Sequence, residues 1–169
     1  MSRPGSLPIL DARAEERARA IRAEHPFWPC AKGCADCCRS LSTAPRITEA
    51  EWLRIAEALS TWPEEQRSAA LETVRALGAR GPMVCPFLAE PEGTCRLYEA
   101  RPLECRTYGY YTERDGGLHC GTVTEAVQRA EARLGDSVFV VWGNGEAFAR
   151  DAARELGEAR PLGAWVEPK

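Results

Sequence analysis

Four cysteines fall within nine positions of this sequence, in the run CAKGCADCC at residues 30–38. Further cysteines follow at wide intervals. The candidate metal ligands are Cys30, Cys34, Cys37, Cys38, Cys85, Cys95, Cys105 and Cys120. Such thiols can bind a metal, cross-link the chain or carry out redox chemistry.

The composition and the N-terminal residues predict a reducing, cytoplasmic environment. Residues 1–20 run straight into charged side chains and lack the apolar core of a signal peptide. The longest strongly apolar run, VFVVW at 138–142, is too short to cross a bilayer. The net charge is −3 and the arginines are scattered, which argues against a nucleic-acid partner. We expect no membrane and no nucleic acid as partners, leave a protein partner and the oligomeric state open, and expect metal binding or catalysis rather than disulfides.

The spacing inside the run limits how its thiols can share a metal. If residues 33–40 form a helical turn, Cys34, Cys37 and Cys38 lie on one face. Adjacent helical residues nevertheless point about 100° apart, so Cys37 and Cys38 are awkward as terminal ligands of one ion. They fit better on two irons of a cluster or at two neighbouring metals, and a bridging thiolate is a third arrangement. Eight thiols form two four-cysteine sites, or one cluster with cysteines in reserve.

The longer intervals slightly favour an iron–sulfur cluster over Zn²⁺. Tetrahedral zinc typically uses short C-x₂-C pairs, whereas nine residues separate Cys85 from Cys95 and nine again separate Cys95 from Cys105. A tight cysteine run with remote partners, one of them followed by proline as Cys85 is here, also occurs among iron–sulfur proteins. A cluster predicts electron transfer or redox sensing, and zinc predicts a structural module that serves as a protein-interaction scaffold.

Two enzyme classes use part of the same pattern. Cys30-x₃-Cys34-x₂-Cys37 has the spacing of the radical S-adenosylmethionine motif, but those enzymes resemble partial βα barrels and this sequence has no repeated βα units. Cys34-x₂-Cys37 is formally a C-x-x-C pair, but the βαβ context of a thioredoxin-like enzyme is missing. The sequence leaves open whether the protein is an enzyme.

The segments that must position the thiols predict a single, helix-dominated α+β domain over residues 11–169, after a flexible tail at 1–10. A surface helix is expected over 11–24, with Asp11 as its N-cap. The cysteines fall in or beside long irregular segments, which are uncommon in a compact domain. A bound metal would supply the missing order.

Local signals predict the remaining elements. Helices are expected after the capping boxes that begin at Thr48, Thr61 and Thr122, and a short helix carrying Cys105 is expected after Pro102. An Asp-Gly turn at 115–116 predicts a hairpin. DSVFVVWG at 136–143 predicts a strand, and a final helix is expected over 144–156.

Four arginines adjoin the cysteines in the sequence: Arg39, Arg96, Arg101 and Arg106. Several thiolates in one place are costly unless positive charge neutralises them. We interpret Arg39 and Arg96 as ordinary surface charges and favour Arg101 and Arg106 as counter-charges beside the centre.

The residues around the cysteines resemble the YkgJ-like cysteine-cluster family, the CxxCxxCC zinc- or iron-chelating proteins. The run CAKGCADCC is similar to its signature, and CPFL at 85–88 continues the match. GTCRLYEARPLECRTY at 93–108 is similar to the family's C-x-x-Y-x-x-R-P-x-x-C-R element. Cys120 followed by Gly121 resembles the final cysteine, so the resemblance covers residues 30–121.

The resemblance implies a metal-chelating domain over residues 30–121. It also places Tyr98, Arg101 and Arg106 at motif positions, where we expect them to surround the bound cofactor. Some relatives are longer flagellin lysine methylases associated with an iron–sulfur cluster. The additional sequence of those proteins is missing here, so the resemblance supports a metal more than a reaction.

Overall fold

The computed structural model describes residues 5–77, 82–113 and 120–166. Helices dominate this part of the chain: α1 (Ser6–Glu24), α2 (Asp36–Arg39), α3 (Glu49–Ser60), α4 (Glu64–Ala76), α5 (Leu103–Thr107), α6 (Gly121–Leu134) and α7 (Gly145–Leu156). Two 3₁₀ turns, Tyr98–Ala100 and Leu162–Trp165, complete the helical structure of these ranges. The predicted single, helix-dominated domain is confirmed.

The strands are two residues long and form three separate pairs. They are β1 (Arg46–Ile47), β2 (Leu88–Ala89), β3 (Thr94–Cys95), β4 (Tyr111–Thr112), β5 (Gly143–Asn144) and β6 (Arg160–Pro161). β1 pairs with β6 and β2 with β3, both antiparallel, whereas β4 runs parallel to β5. Across the described ranges there is no closed sheet, so this part of the chain is not the partial βα barrel of a radical S-adenosylmethionine enzyme. None of the described helices is long and apolar enough to span a membrane.

α1 starts earlier and is more buried than the sequence predicts. It begins at Ser6, after Gly5 in the left-handed conformation, so the tail expected at residues 1–10 is helical from residue 6 and Asp11 is not the N-cap. The apolar residues buried along one face are Leu10, Ala14, Ala18 and Ile21. This face packs α1 against α5 and α7, because small alanines let the helices approach closely. The expected surface helix is therefore part of the core, and residues 1–4 lie outside the described ranges.

Of the three predicted capping boxes, only the first is confirmed. Thr48 is the N-cap of α3, and the Glu51 side chain closes the box. Thr61 instead ends α3, where its hydroxyl donates to the carbonyl of Ala58. α4 begins after Pro63 and α6 begins after Cys120, so Thr61 and Thr122 are not N-caps.

In the C-terminal third of the chain, the predicted strand is wrong and the predicted final helix is confirmed. The strand expected at 136–143 forms only at Gly143. None of the described strands pairs with residues 138–142, and the Trp142 amide donates to the Val140 carbonyl at 3.2 Å. Phe139 is 84% exposed there. The final helix is confirmed as α7, whose N-cap Asn144 accepts a hydrogen bond from the Ala147 amide at 2.8 Å. The hairpin expected at residues 115–116 lies outside the described residues.

Two apolar clusters enclose the region of the cysteines. The main core is built around Ile47, Ile55, Leu59, Val74 and Leu162, and Cys85 and Cys95 pack against it. A second cluster, here called the aromatic cluster, contains Trp28, Tyr110, Val123 and Cys120 among its buried residues, with Cys30 packed on it. The thiols therefore lie where two cores meet.

Candidate metal centre

The eight cysteines lie in six structural elements or loops. Cys30 and Cys34 lie in the loop after α1, Cys37 and Cys38 in α2, and Cys85 in the loop before β2. The remaining three lie in β3 (Cys95), in α5 (Cys105) and at the N-cap of α6 (Cys120). All eight thiols are free.

Seven of these thiols, all except Cys120, line one cavity of about 150 Å³. Within the described ranges, no three His, Cys, Asp or Glu side chains are arranged so that they could hold one ion directly. The sulfurs therefore surround a shared space rather than close around a single point. A soft, sulfur-only donor set at such a space fits zinc or iron.

Three cysteines form what we call the aromatic-side group: Cys30, Cys34 and Cys120. The Cys30 thiol donates to the Tyr108 carbonyl at 3.6 Å, and the backbone at Gly109 passes close beside it. Burial raises the pKa of Cys30 to about 12, and the charges of Cys34 and Cys120 add to the shift. Burial likewise raises the pKa of Cys120, with a contribution from Cys34. Cys30 and Cys120 pack in the same aromatic cluster, although 89 residues lie between them in the sequence.

Four cysteines form the core-side group: Cys38, Cys85, Cys95 and Cys105. The Cys85 amide donates to the Cys38 carbonyl at 2.7 Å, which ties the loop before β2 to α2. The hydrogen bond with Cys37 lowers the pKa of Cys38, but Cys85 and burial outweigh it and raise that pKa to about 12. Burial also raises the pKa of Cys105 well above its usual range, with Cys38 and Cys95 contributing.

Cys37 contacts Cys38 and influences the electrostatics of both groups. Its Sγ is 4.0 Å from the Sγ of Cys38, and this contact, followed by burial, raises the pKa of Cys37. In addition to burial, its charge helps to raise the pKa of thiols in both groups, namely Cys30, Cys120, Cys95 and Cys105.

Backbone amides near two sulfurs favour the thiolate form that a metal requires. Burial raises the pKa of Cys95, and a hydrogen bond from the Leu97 amide opposes that rise. Burial also raises the pKa of Cys120, and the amides of Val123 and Thr122 at the start of α6 oppose it. Hydrogen bonds of this kind to ligand sulfurs help to set the reduction potential of a metal centre. These amides offset part of the effect of burial, although the pKa of each thiol stays raised.

The four arginines that adjoin the cysteines in the sequence have different partners in the structure. Arg39 pairs with Glu90 at 2.7 Å on the surface. Arg96 lies 3.6 Å from the ring centroid of Trp62 and donates to Gln66 at 2.6 Å. The Nε of Arg106 lies 3.0 Å from a carboxylate oxygen of Asp11 in α1. The sequence could not reveal this contact, because the two residues are far apart along the chain.

Arg101 is placed differently from the other three. Its guanidinium lies 3.5 Å from the ring centroid of Tyr98, and its Nε donates to the Tyr98 carbonyl at 2.9 Å. Burial raises the pKa of Cys95, and the charge of Arg101 lowers it. Arg101 therefore stands where a counter-charge is expected, while the guanidinium of Arg106 fastens the same loop to α1.

Two residues near the thiols were missed by the sequence interpretation. The Nζ of Lys32 lies 4.9 Å from the Tyr98 ring centroid, so this ring attracts a second cation besides Arg101. The sequence signal that could have drawn attention to Lys32 is the rarity of lysine, since only Lys32 and Lys169 are lysines. Gly109, with φ of 79°, was missed because nothing in the local sequence reveals that its backbone approaches the Cys30 thiol.

The fold and the eight thiols define a small, helix-dominated cysteine-cluster protein. A family model, CxxCxxCC, described as "Putative zinc- or iron-chelating domain", matches residues 29–129, more than half of the chain. The chain belongs to this family. No curated protein and no solved structure gives a significant match.

Replacing Gly109 with alanine is expected to remove most of the bound metal. An added Cβ would lie 3.1 Å from the Cys30 Sγ, and the left-handed φ costs a further 1–2 kcal/mol, roughly, for any residue with a side chain. Gly135→Ala is the matched control, since Gly135 has φ of 71° but open space around its Cβ position. Mass spectrometry should show metal loss only in Gly109→Ala, and urea unfolding of the metal-free proteins should show similar destabilisation in both variants. Equal metal content would contradict a role for the close approach.

Proposed function

We propose that the protein holds an iron–sulfur centre through its cysteine thiolates and serves in electron transfer or redox sensing. The cavity shared by seven thiols carries this proposal. Four sulfurs at 2.3 Å from one Zn²⁺ lie ~3.8 Å from one another, and no three described ligand side chains are so arranged. A cluster brings its own sulfides, so it accommodates thiols that are spaced more widely around a cavity.

Different residues of the chain have different roles at such a centre. Cys30, Cys34, Cys37 and Cys120 would provide one set of four ligands, and the core-side group would provide the other. When bound, an iron–sulfur cluster supplies one-electron redox chemistry. The two apolar clusters limit the access of water, and the amides beside Cys95 and Cys120 donate to the sulfurs.

The residues of the Tyr-Arg-Pro motif have separate roles in this proposal. Arg101 offsets the negative charge beside Cys95, and the Tyr98 ring and carbonyl hold its guanidinium in place. Arg106 acts by position, because it binds Asp11 and donates to the carbonyl of Glu99 at 2.5 Å. We place this function in the cytoplasm, where eight thiols stay reduced.

A structural zinc module with a protein-interaction role is the second candidate. It is favoured by the 4.0 Å between the sulfurs of Cys37 and Cys38, which is close to the ~3.8 Å edge of a tetrahedral zinc–sulfur site. Methylase or radical S-adenosylmethionine activity has less support, because the described elements provide no βα barrel.

Elemental analysis of anaerobically purified protein decides between the two candidates. Iron with acid-labile sulfide and a broad absorption in the blue would support the iron–sulfur centre. A colourless protein with stoichiometric zinc and no sulfide would overturn it in favour of the scaffold. A protein that holds neither metal, with the family's cysteines intact and reduced, would overturn both.

Metal uptake is expected to release protons and to weaken as the pH falls. The pKa of Cys30 and that of Cys38 are raised to about 12, so both thiols are protonated at neutral pH, and only a thiolate binds the metal. Calorimetric titration of the reduced, metal-free protein with Zn²⁺ in buffers of different ionisation enthalpy counts the released protons. The count should fall by about one for each ligand cysteine replaced by serine. Uptake that does not depend on pH would contradict binding by these thiols.

A further inference from the structure

We propose that Asp11 of α1, which lies outside the residues matched by the family model, is a positioning residue for the metal centre. Its carboxylate acts through Arg54 and Arg106 to hold the turn that lies between Cys95 and Cys105. This role rests on the proposed metal binding and adds to it a part of the chain that the cysteine motif does not include.

The chain between Cys95 and Cys105 has little regular structure to fix its shape. It contains one 3₁₀ turn, Tyr98–Ala100, which is followed by Arg101 and Pro102 before α5 begins. Cys95 lies in β3, Cys105 lies in α5, and both thiols line the cavity of about 150 Å³. The conformation of this turn therefore helps to set how the two thiols are spaced around the cavity.

Two arginine side chains hold the turn by its carbonyl groups. The Nη2 of Arg54 donates to the Arg101 carbonyl at 2.5 Å, and the Nε of Arg106 donates to the same oxygen at 3.1 Å. The Nη2 of Arg106 also donates to the Glu99 carbonyl at 2.5 Å. Since Arg54 belongs to α3 and Arg106 follows Cys105 in α5, these hydrogen bonds fasten the turn to both helices.

Asp11 supplies the negative charge that allows the two arginines to lie side by side. Because both guanidinium groups donate to one oxygen, they are close together, and like charges repel each other. The Asp11 carboxylate forms an ion pair with Arg54 through one oxygen and with Arg106, at 3.0 Å, through the other. Its side chain is only 20% exposed, so salt and water screen these charges less than at the open surface. Without this carboxylate, we expect the two arginines to separate and to release the turn.

The same turn places the guanidinium of Arg101. Its Nε donates to the Tyr98 carbonyl at 2.9 Å, and the group lies 3.5 Å from the Tyr98 ring centroid. Because Arg54 and Arg106 hold the carbonyl of Arg101, its side chain extends from a fixed point of the backbone. We therefore expect Asp11 to influence the spacing of the two thiols and the placement of this cation together.

The test compares metal loss from full-length protein that is purified anaerobically with its metal. Asp11→Asn removes the charge and keeps the size of the side chain. Residues that orient metal ligands typically change metal affinity by about 10–100-fold when they are replaced, so Asp11→Asn should release its metal to a chromogenic chelator at least about tenfold faster. Hydrogen exchange of the metal-free variant should quicken in residues 98–106. The assay serves equally for iron and for zinc.

Asp151→Asn is the matched control. Asp151 also pairs with two arginines, Arg13 of α1 at 2.6 Å and Arg154 at 3.1 Å, and its side chain is 27% exposed, but these pairs involve α1 and α7 only. Asp151→Asn should release the metal at the rate of the unaltered protein, while urea unfolding of the metal-free proteins measures the general stability of each variant. Equally fast release from both variants would reduce the effect of Asp11 to a loss of stability and overturn its positioning role.

Arg54→Lys tests the route from Asp11 to the turn. Lysine keeps the positive charge but lacks the planar fork with which Arg54 reaches both Asp11 and the Arg101 carbonyl. Release should therefore be faster in Arg54→Lys, and adding Asp11→Asn to it should change the rate less than Asp11→Asn does alone. Fully additive effects would overturn the proposal. If Asp11→Asn does not fold, the rate of Arg54→Lys against Asp151→Asn decides, and equal rates would overturn the proposal.

Failure of this role and failure of the proposed metal binding give different results. Unaltered protein that carries no metal would overturn metal binding by the thiols, and the positioning role with it. Metal-loaded protein whose Asp11→Asn variant keeps the unaltered rate of release would overturn the positioning role alone.

Discussion

Removal of the metal with a chelator is expected to lower the melting temperature by about 10 °C or more. A ligand present at a thousand times its dissociation constant stabilises the folded state by about 4 kcal/mol. For a chain of this length, 1 kcal/mol corresponds to roughly 2–4 °C. The segments that carry most of the cysteines have little regular structure of their own. They therefore depend on the centre for their order more than the long helices do.

Scanning calorimetry, with the metal content measured on the same samples, checks this expectation. Hydrogen exchange should quicken first in residues 29–40 and 82–100, while α3 keeps its protection because Ile55 and Leu59 are fully buried. Adding the metal back should restore the original transition, which excludes damage by the chelator. An unchanged melting temperature after complete removal would mean that the two apolar clusters hold the cysteine segments without a metal.

Replacing Glu51 with alanine is expected to destabilise the protein by about 3 kcal/mol. The side chain is 2% exposed, and its carboxylate accepts from the Thr48 amide at 2.8 Å, the Thr48 hydroxyl at 2.7 Å and the Leu103 amide at 2.7 Å. The substitution leaves buried donors without partners, and each such donor costs about 1–3 kcal/mol. Because Leu103 begins the helix that carries Cys105, the metal content should fall as well. Urea unfolding and elemental analysis measure the two effects.

Two further variants isolate the cause. Glu57→Ala removes an exposed carboxylate from the same helix and should change the stability by less than about 0.5 kcal/mol. Glu51→Gln keeps an oxygen acceptor of the same size, so its loss should be intermediate. If Glu51→Ala and Glu57→Ala were equally stable, the buried hydrogen bonds would not be what fastens α5 to α3.

The helices show which local signals can be read from the sequence. The capping box at Thr48 is real because the spacing of Thr48 and Glu51 and the apolar positions behind them agree. The same spacing at Thr61 and Thr122 fails, because the chain enters α4 through Pro63 and α6 through Cys120. A cap depends on the backbone conformation at one residue, and spacing alone does not determine that conformation.

Strand formation and burial depended on partners elsewhere in the chain. Residues 138–142 have strong β propensity, but a strand needs an edge to pair with, and the pairing with β4 reaches only β5. The alanine-rich face of α1 has low hydropathy, yet it is buried because α5 and α7 pack against it. Average hydropathy does not reveal which small residues another helix will cover.

The sequence by itself determined the helix-dominated class and the family, and it identified the eight cysteines as candidate ligands, since these depend on residue types and short spacings. Only the tertiary structure decided that Cys30 and Cys120 pack in the same apolar cluster. It also decided that Arg106 binds Asp11 and that Arg101 lies against the Tyr98 ring. The reason is physical. Short spacings constrain only local backbone geometry, whereas contacts across about 90 residues are set by how the two apolar clusters pack, and many pairs of elements contribute to that packing.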